Sequence, residues 1–282
     1  MTPDSILLSA FAALLYGSAD FCGGMATRRS SVVPVMILSQ LSGLIALVPV
    51  LPLLPPASAS AADLAWGAIG GSALAVGLTL LYRGLAMGKM SVVAPVTAVL
   101  SVVVSALAGF LAGDRLSAAA WAGVALALAA IVLISQDRAS AGAPTGRSAR
   151  ALGLALTAGA LLGLFLIALK QTAPASGLLP LVPARLTAMG VLGLFALFRR
   201  LPLRLARTSV WLAAGGGVLD VSANVLYLLA ARMGTLTVAA TVTSLYPAST
   251  IVLARIVLRE RLRAAQIAGL VFAAAGIALI TW

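Results

Sequence analysis

The sequence predicts an all-α integral membrane fold of ten transmembrane helices, arranged as two inverted five-helix repeats. Three observations carry that prediction. Hydrophobic residues make up 62% of the 282-residue chain and charged residues 9%, far from the balance of a water-soluble domain. The apolar residues fall into ten runs of about 20, the length of helix that crosses a hydrocarbon core. The chain also repeats itself: Met87 to Ser135 returns as Met233 to Thr281, an offset of 146, with 19 of 49 aligned positions identical. Apolar composition alone does not produce that self-similarity.

In chain order the runs of the first half are Ser5 to Met25, Val32 to Leu54, Leu64 to Leu85, Val92 to Ala112 and Ala118 to Ile134. Those of the second are Leu152 to Leu169, Leu178 to Phe198, Val210 to Ala231, Thr237 to Leu258 and Ala264 to Ile280. The first run follows an acid, Asp4, in place of a basic segment and is longer than a signal-peptide core, so it reads as a retained span. The stretch 136–150 is rich in Gly, Ser, Ala and Arg and reads as a solvated linker between repeats at 1–135 and 151–282.

Five spans per repeat force the second copy to enter the membrane from the opposite side. Loop charge tests this independently, because cytoplasmic loops collect Lys and Arg. Loops after odd-numbered spans carry fourteen basic residues, among them Arg28, Arg29, Lys89 and the cluster from Arg199 to Arg207; those after even-numbered spans carry three, Arg115, Lys170 and Arg232. The bias puts the linker in the cytoplasm and both termini in the periplasm. It also accounts for the net charge of +12: the basic residues are spread over loops on one side, without the compact aromatic-laced patch of a nucleic-acid site. One cysteine, Cys22, allows no intrachain disulfide, and the lack of His leaves no metal or cofactor site of recognisable spacing.

Gly113-Asp114-Arg115-Leu116 and Arg259-Glu260-Arg261-Leu262 each close a span and are followed seven residues on by Gly123 and Gly269. With Leu15-Tyr16-Gly17-Ser18 in the first span and Arg185 in the seventh, the chain resembles the EamA-type carriers of the drug/metabolite transporter superfamily. The second motif departs from the pattern, with Arg259 where Gly is usual. The resemblance implies a carrier in a bacterial inner membrane, sufficient as a monomer, that moves small organic metabolites, commonly outward. The repeats support the mechanism on their own, since inverted halves allow two conformations of similar energy around a site near the midplane.

That site is sought among polar residues deep in apolar runs, where an ionisable group is costly and faces a cavity or a partner. Asp220 lies near the middle of span eight, with Asn224 and Tyr227 on the same helical face. Its counterpart in the first repeat is Leu74, so the shared fold does not require the acid. Asp220 either serves the substrate or neutralises Arg185, and one arrangement can do both if the substrate breaks the pair. Asp20, with Tyr16 one turn earlier, either faces the site or reaches Arg28 and Arg29. Gln40 stands one residue beyond Ser39, the counterpart of Arg185. Tyr82 and Tyr227 occupy nearly equivalent places and, with Tyr246, suit an amphipathic ligand. Pro95 and Pro247 interrupt spans four and nine and are candidate hinges. Lys170 is expected to snorkel to the interface. Trp66, Trp121, Trp211 and Trp282 suit the interfacial belt.

Two substrate readings compete. An amino acid or related metabolite would place its carboxylate on Arg185 and its amine on Asp220 or Asn224; a lipophilic cation would want an acid among aromatics. Either acid could also carry a coupling proton. No Gly-rich, Lys-bearing nucleotide loop appears. An enzyme acting on lipid-linked substrates would need a catalytic set, and only a meeting of Asp20 with Asp220 could supply one.

Overall fold

The computed structural model describes residues 3–54, 56–111, 117–135, 146–233, 239 and 242–281, and among them there is no strand. Among the described residues ten α-helices follow the ten apolar runs in order. The first repeat contributes α1 (Pro3–Thr27), α2 (Val32–Val50), α3 (Ala61–Met87), α4 (Met90–Leu111) and α5 (Ala118–Ser135). The second contributes α6 (Gly146–Lys170), α7 (Leu181–Phe198), α8 (Arg207–Met233), α9 (Pro247–Val257) and α10 (Ala264–Thr281). Helices α1 to α4 and α6 to α8 are long and apolar enough to cross a membrane, while α5, α9 and α10 are shorter apolar helices. Large apolar side chains such as Phe11, Ile45, Val132, Ile256 and Val271 stand exposed on the outside, which only a lipid surround tolerates on this scale. Trp66, Trp121 and Trp211 are exposed near the starts of their helices; Trp282 lies outside the described residues.

The inversion is visible in one pair. Helices α5 and α10 are equivalent under the offset of 146, yet they pack antiparallel: Gly123 faces Gly276 and Ile280, while Gly269 faces Ile134. Two copies of one element running in opposite directions require inverted repeats. The other contacts follow the same symmetry. Helix α1 lies antiparallel on α8, with Ser5 bonded to the Ala230 carbonyl and Ser209 to that of Ala26. Its counterpart, α6, lies antiparallel on α3, where Gly70 meets Phe165 and Ala168 and Gly77 meets Leu161 and Leu162. Such close crossings need small residues because apolar side chains gain nothing by leaving lipid. Gly67, Gly71 and Gly217 approach the carbonyls of Pro180, Ala184 and Ser39, and Gly159 and Gly163 seat Leu100 and Val104. Gly215 makes no such approach, since nothing lies within 4 Å of where its side chain would be.

The loops divide between two faces. On one, which we call the odd face, Ser30 bonds Ala206, Arg147 bonds the Met87 carbonyl and Arg28 pairs with Glu260. These contacts join the loops after α1, α3, α7 and α9 and the start of α6. On the even face Asp63 completes a capping box with Ser60 and accepts a bond of 2.7 Å from the Ala173 amide, tying the loop after α2 to the loop after α6.

Two details differ from expectation. Helix α6 begins at Gly146, inside the stretch read as linker, because Arg147 is already anchored to Met87. Pro95 does not interrupt its span: α4 is continuous from Met90 to Leu111 and Pro95 sits buried in its second turn, where only one backbone bond is lost. Pro247 does mark a break. It opens α9, an 11-residue helix about 17 Å long, after a turn at 244–246 held by bonds such as Tyr246 N–H to the Thr243 carbonyl.

Arg259 has φ 56, in the left-handed region that costs a side chain about 1–2 kcal/mol and glycine almost nothing. The aligned residue of the first repeat is Gly113, so the departure from the family pattern falls where the backbone favours glycine. Arg259→Gly is expected to raise stability by about 1 kcal/mol, read as a higher Tm in detergent; an unchanged or lower Tm would contradict it.

Candidate functional site

Helices from both repeats enclose a cavity of about 590 Å³, within the range of small-molecule sites. A smaller hollow of about 250 Å³ between the loops after α2 and α6 is lined by Leu, Pro, Ala and Gly and has no charged side chain. In the large cavity one wall is mostly apolar, built by α3, α4 and α6 from Leu74, Leu78, Val102, Leu162, Phe165 and Leu166, with Ser101, Ser105 and Lys170 as its polar members. The other is polar, built by α1, α7 and α8 from Tyr16, Asp20, Arg185, Asp220, Asn224 and Tyr227.

The cavity lining stops short of the odd face and extends to the even face. Its deepest residues, Asp20, Leu81 and Ala98, lie six to eight residues from the odd-face ends of their helices at Thr27, Met87 and Met90. That distance is roughly 10 Å, and it is filled by Met36, Leu85, Met90, Val93 and Ala94, all fully buried. At the other end Gly109, Lys170 and Ile280 line the cavity near the even-face ends of α4, α6 and α10.

The charged centre is a network on α2, α7 and α8. Arg185, 4% exposed, donates from Nη1 to Gln40 Oε1 at 3.0 Å and from Nη2 to Asp220 Oδ2, an ion pair. Asn224 donates to the Asp220 backbone carbonyl at 2.7 Å and lies 3.5 Å from Oδ2. The fork of the guanidinium explains why both partners can be held at once. Room for it comes from Gly43, where a side-chain carbon would sit 2.5 Å from Arg185 Nη1. Among the described residues Arg185 Nε has no hydrogen-bond partner. The Asp220 side chain keeps 33% of its surface open to the cavity.

Asp20 stands apart from this network. It lines the cavity and takes part in neither of the ion pairs of the described residues, Arg28 being paired with Glu260 instead. Nearby, Tyr16 packs edge-on against Tyr246 with ring centroids 6.2 Å apart. Tyr246 belongs to the turn before α9, which also brings Thr243 and Ser244 into the lining, so the break in span nine delivers polar groups to the cavity.

Of the residues singled out from the sequence, Tyr16, Asp20, Gln40, Arg185, Asp220, Asn224 and Tyr227 are brought together. Tyr82 is not: it is 4% exposed and packs its ring on Gly23, away from the cavity. Pro95 lies outside the lining and Pro247 directly follows it in sequence. Lys170 is exposed and contributes to the lining instead of lying wholly against lipid. Ser101 and Ser105, which sequence reasoning missed, place hydroxyls on the α4 wall; isolated serines in an apolar run carry no signal of their own.

Two inverted five-helix units thus surround one cavity that is mostly apolar on one wall and charged on the other, the architecture of a membrane protein built from inverted repeats. The chain belongs to the EamA-like transporter family, whose pattern matches residues 4–136 and again 149–282, once per repeat. It is therefore a transporter of the drug/metabolite type. A solved crystal structure shares the fold, with a TM-score of 0.62 at 15% identity over 99% of this chain and 96% of that one. No curated protein matches the chain.

Proposed function

We propose that this protein is a secondary transporter for small amphipathic zwitterions, amino acids with apolar side chains first among them, and that it moves them outward by alternating access. The observation that carries the reading is the division of the cavity into a mostly apolar wall and a wall bearing both signs of charge. A zwitterion with an apolar side chain satisfies both walls at once. Asp20, outside the Arg185–Asp220 pair, is the natural partner for an ammonium group. Arg185 takes the carboxylate by exchanging it for Asp220, an exchange of like for like in charge and geometry. With the odd face assigned to the cytoplasm by its basic loops, the described conformation is open to the outside.

The lipophilic-cation reading keeps one observation in its favour, the Asp20 carboxyl beside the Tyr16–Tyr246 pair. Arg185 in the same cavity weighs against it. Asp20 and Asp220 do share one cavity, but the guanidinium on Asp220 repels a metal ion, which disfavours a two-carboxylate enzyme site.

The test is flux of a panel of radiolabelled amino acids and of lipophilic cations in proteoliposomes, with and without a proton gradient. Saturable flux of apolar amino acids, competed by relatives of the same class, is expected. Flux of cations without amino-acid competition would overturn the reading, and a response to the gradient would identify proton coupling.

A further inference from the structure

The sealed side of the cavity is held by a contact that joins the two repeats. Helix α4 starts at Met90, and the first amides of a helix have no partner within it. Those of Met90 and Ser91 are bonded by the Glu260 carboxylate, at 3.0 Å each, and the Ser91 hydroxyl adds a bond of 2.6 Å. Glu260 lies in the loop after α9, about 170 residues away in sequence, so a side chain of the second repeat caps a helix of the first. Its charge sits at the positive end of the α4 dipole. Arg28, at the end of α1, stands 3.9 Å from Glu260 and 3.5 Å from the Leu85 carbonyl in the last turns of α3. Glu260 and Arg28 together thus gather the odd-face ends of α1, α3 and α4 and the loop after α9.

The capped residue is also the stopper. Met90 is fully buried, and its terminal methyl lies against Gly24 of α1, where a side-chain carbon would be 2.8 Å from it. Fixing the Met90 amide therefore fixes the side chain that fills the gap between α1 and α4 below the cavity floor. We infer that Glu260 is a positioning residue of the transport cycle: it latches α4 to the second repeat and seats Met90, holding the odd face shut while the cavity is open to the even face, and its release precedes opening to the odd face.

The inference rests on the alternating-access reading, yet its test needs no substrate. In a Cys22→Ser, Ser101→Cys background the reporter thiol lines the middle of the cavity, and a membrane-impermeant maleimide is applied from either side of oriented proteoliposomes. The parent should label from the even face. Glu260→Ala should shift labelling toward the odd face by about tenfold in the ratio of the two rates, and Glu260→Gln, which keeps an acceptor oxygen without the charge, by less. A helix cap that served stability alone would lower the Tm without moving the labelled side. If Glu260→Ala does not fold, Ser91→Ala and Arg28→Met each remove one contact of the latch and carry the same test. A folded variant labelled like its parent overturns the inference. Shifted labelling in a protein that moves no amino acid would leave the latch standing and overturn the substrate assignment instead.

Discussion

Arg185→Met should lower both the stability of the carrier and its transport, and the two losses should separate in a second variant. Removing the guanidinium strands the Asp220 carboxylate and the buried Gln40 oxygen that it now satisfies. Breaking one side of a buried pair typically costs about 3–5 kcal/mol; with Asp220 one-third open to the cavity, about 2–3 kcal/mol is the better expectation. Asp220→Asn should be milder for folding, because an amide oxygen still accepts from Nη2. In the double variant Arg185→Met, Asp220→Leu no charge is left uncompensated, and much of the Tm should return. Transport should not return: kcat/KM for a carboxylate-bearing substrate should stay about a hundredfold below wild type, the effect of about 2.7 kcal/mol. Arg185→Lys should not rescue it either, since a single ammonium cannot hold Gln40 and Asp220 in the fixed geometry of a guanidinium. Recovery of transport in the double variant would show the pair to be scaffolding alone.

The fold was legible because the signals that specify it are periodic and redundant. The offset between the repeats, the odd number of spans and the one-sided distribution of Arg each point to inversion, and the antiparallel pairing of Gly123 with Gly276 is what they require. The Arg185–Asp220 pair was legible from depth alone, because two opposite charges in apolar spans must find each other or water. Tyr82 shows where that reasoning fails. Its place is only nearly equivalent to that of Tyr227: the residue at the offset of 146 is Leu81, which lines the cavity, whereas Tyr82 lies outside the lining. One residue on a helix is a rotation of about 100°, enough to move a side chain from a cavity to a packing face. Glu260 shows a different limit. Its partners are backbone amides, which have no sequence signature, and they lie in the other repeat. The break before α9 was anticipated from Pro247, but the same argument placed one at Pro95. Proline opens a helix or is tolerated near its start, and which of these occurs depends on whether the preceding turn is needed elsewhere; here the turn before α9 supplies the cavity with Tyr246.

Asp20→Asn should discriminate among substrates in a way that no change at the Arg185 network does. In the described conformation Asp20 is bound in neither ion pair and lines the deep end of the polar wall. An unpaired carboxylate in a membrane protein is stabilised by binding a cation or a proton, and a substrate ammonium supplies the former. A hydrogen bond to a charged group contributes about 1.5–3 kcal/mol, so the neutral amide should weaken binding of amine-bearing substrates by roughly 10- to 100-fold. An N-acetylated analogue, with no charge on nitrogen, should bind wild type and Asp20→Asn about equally. At Asp220 the same substitution should affect both ligands, because it acts through Arg185 and hence through the carboxylate they share. Competition against a radiolabelled substrate in detergent, or its tryptophan-fluorescence equivalent, reads both comparisons without a transport assay. Equal weakening of the two ligands in Asp20→Asn would mean that Asp20 shapes the cavity without touching the amine, and would return that role to Asp220, with its ion pair opening for the ammonium rather than for the carboxylate.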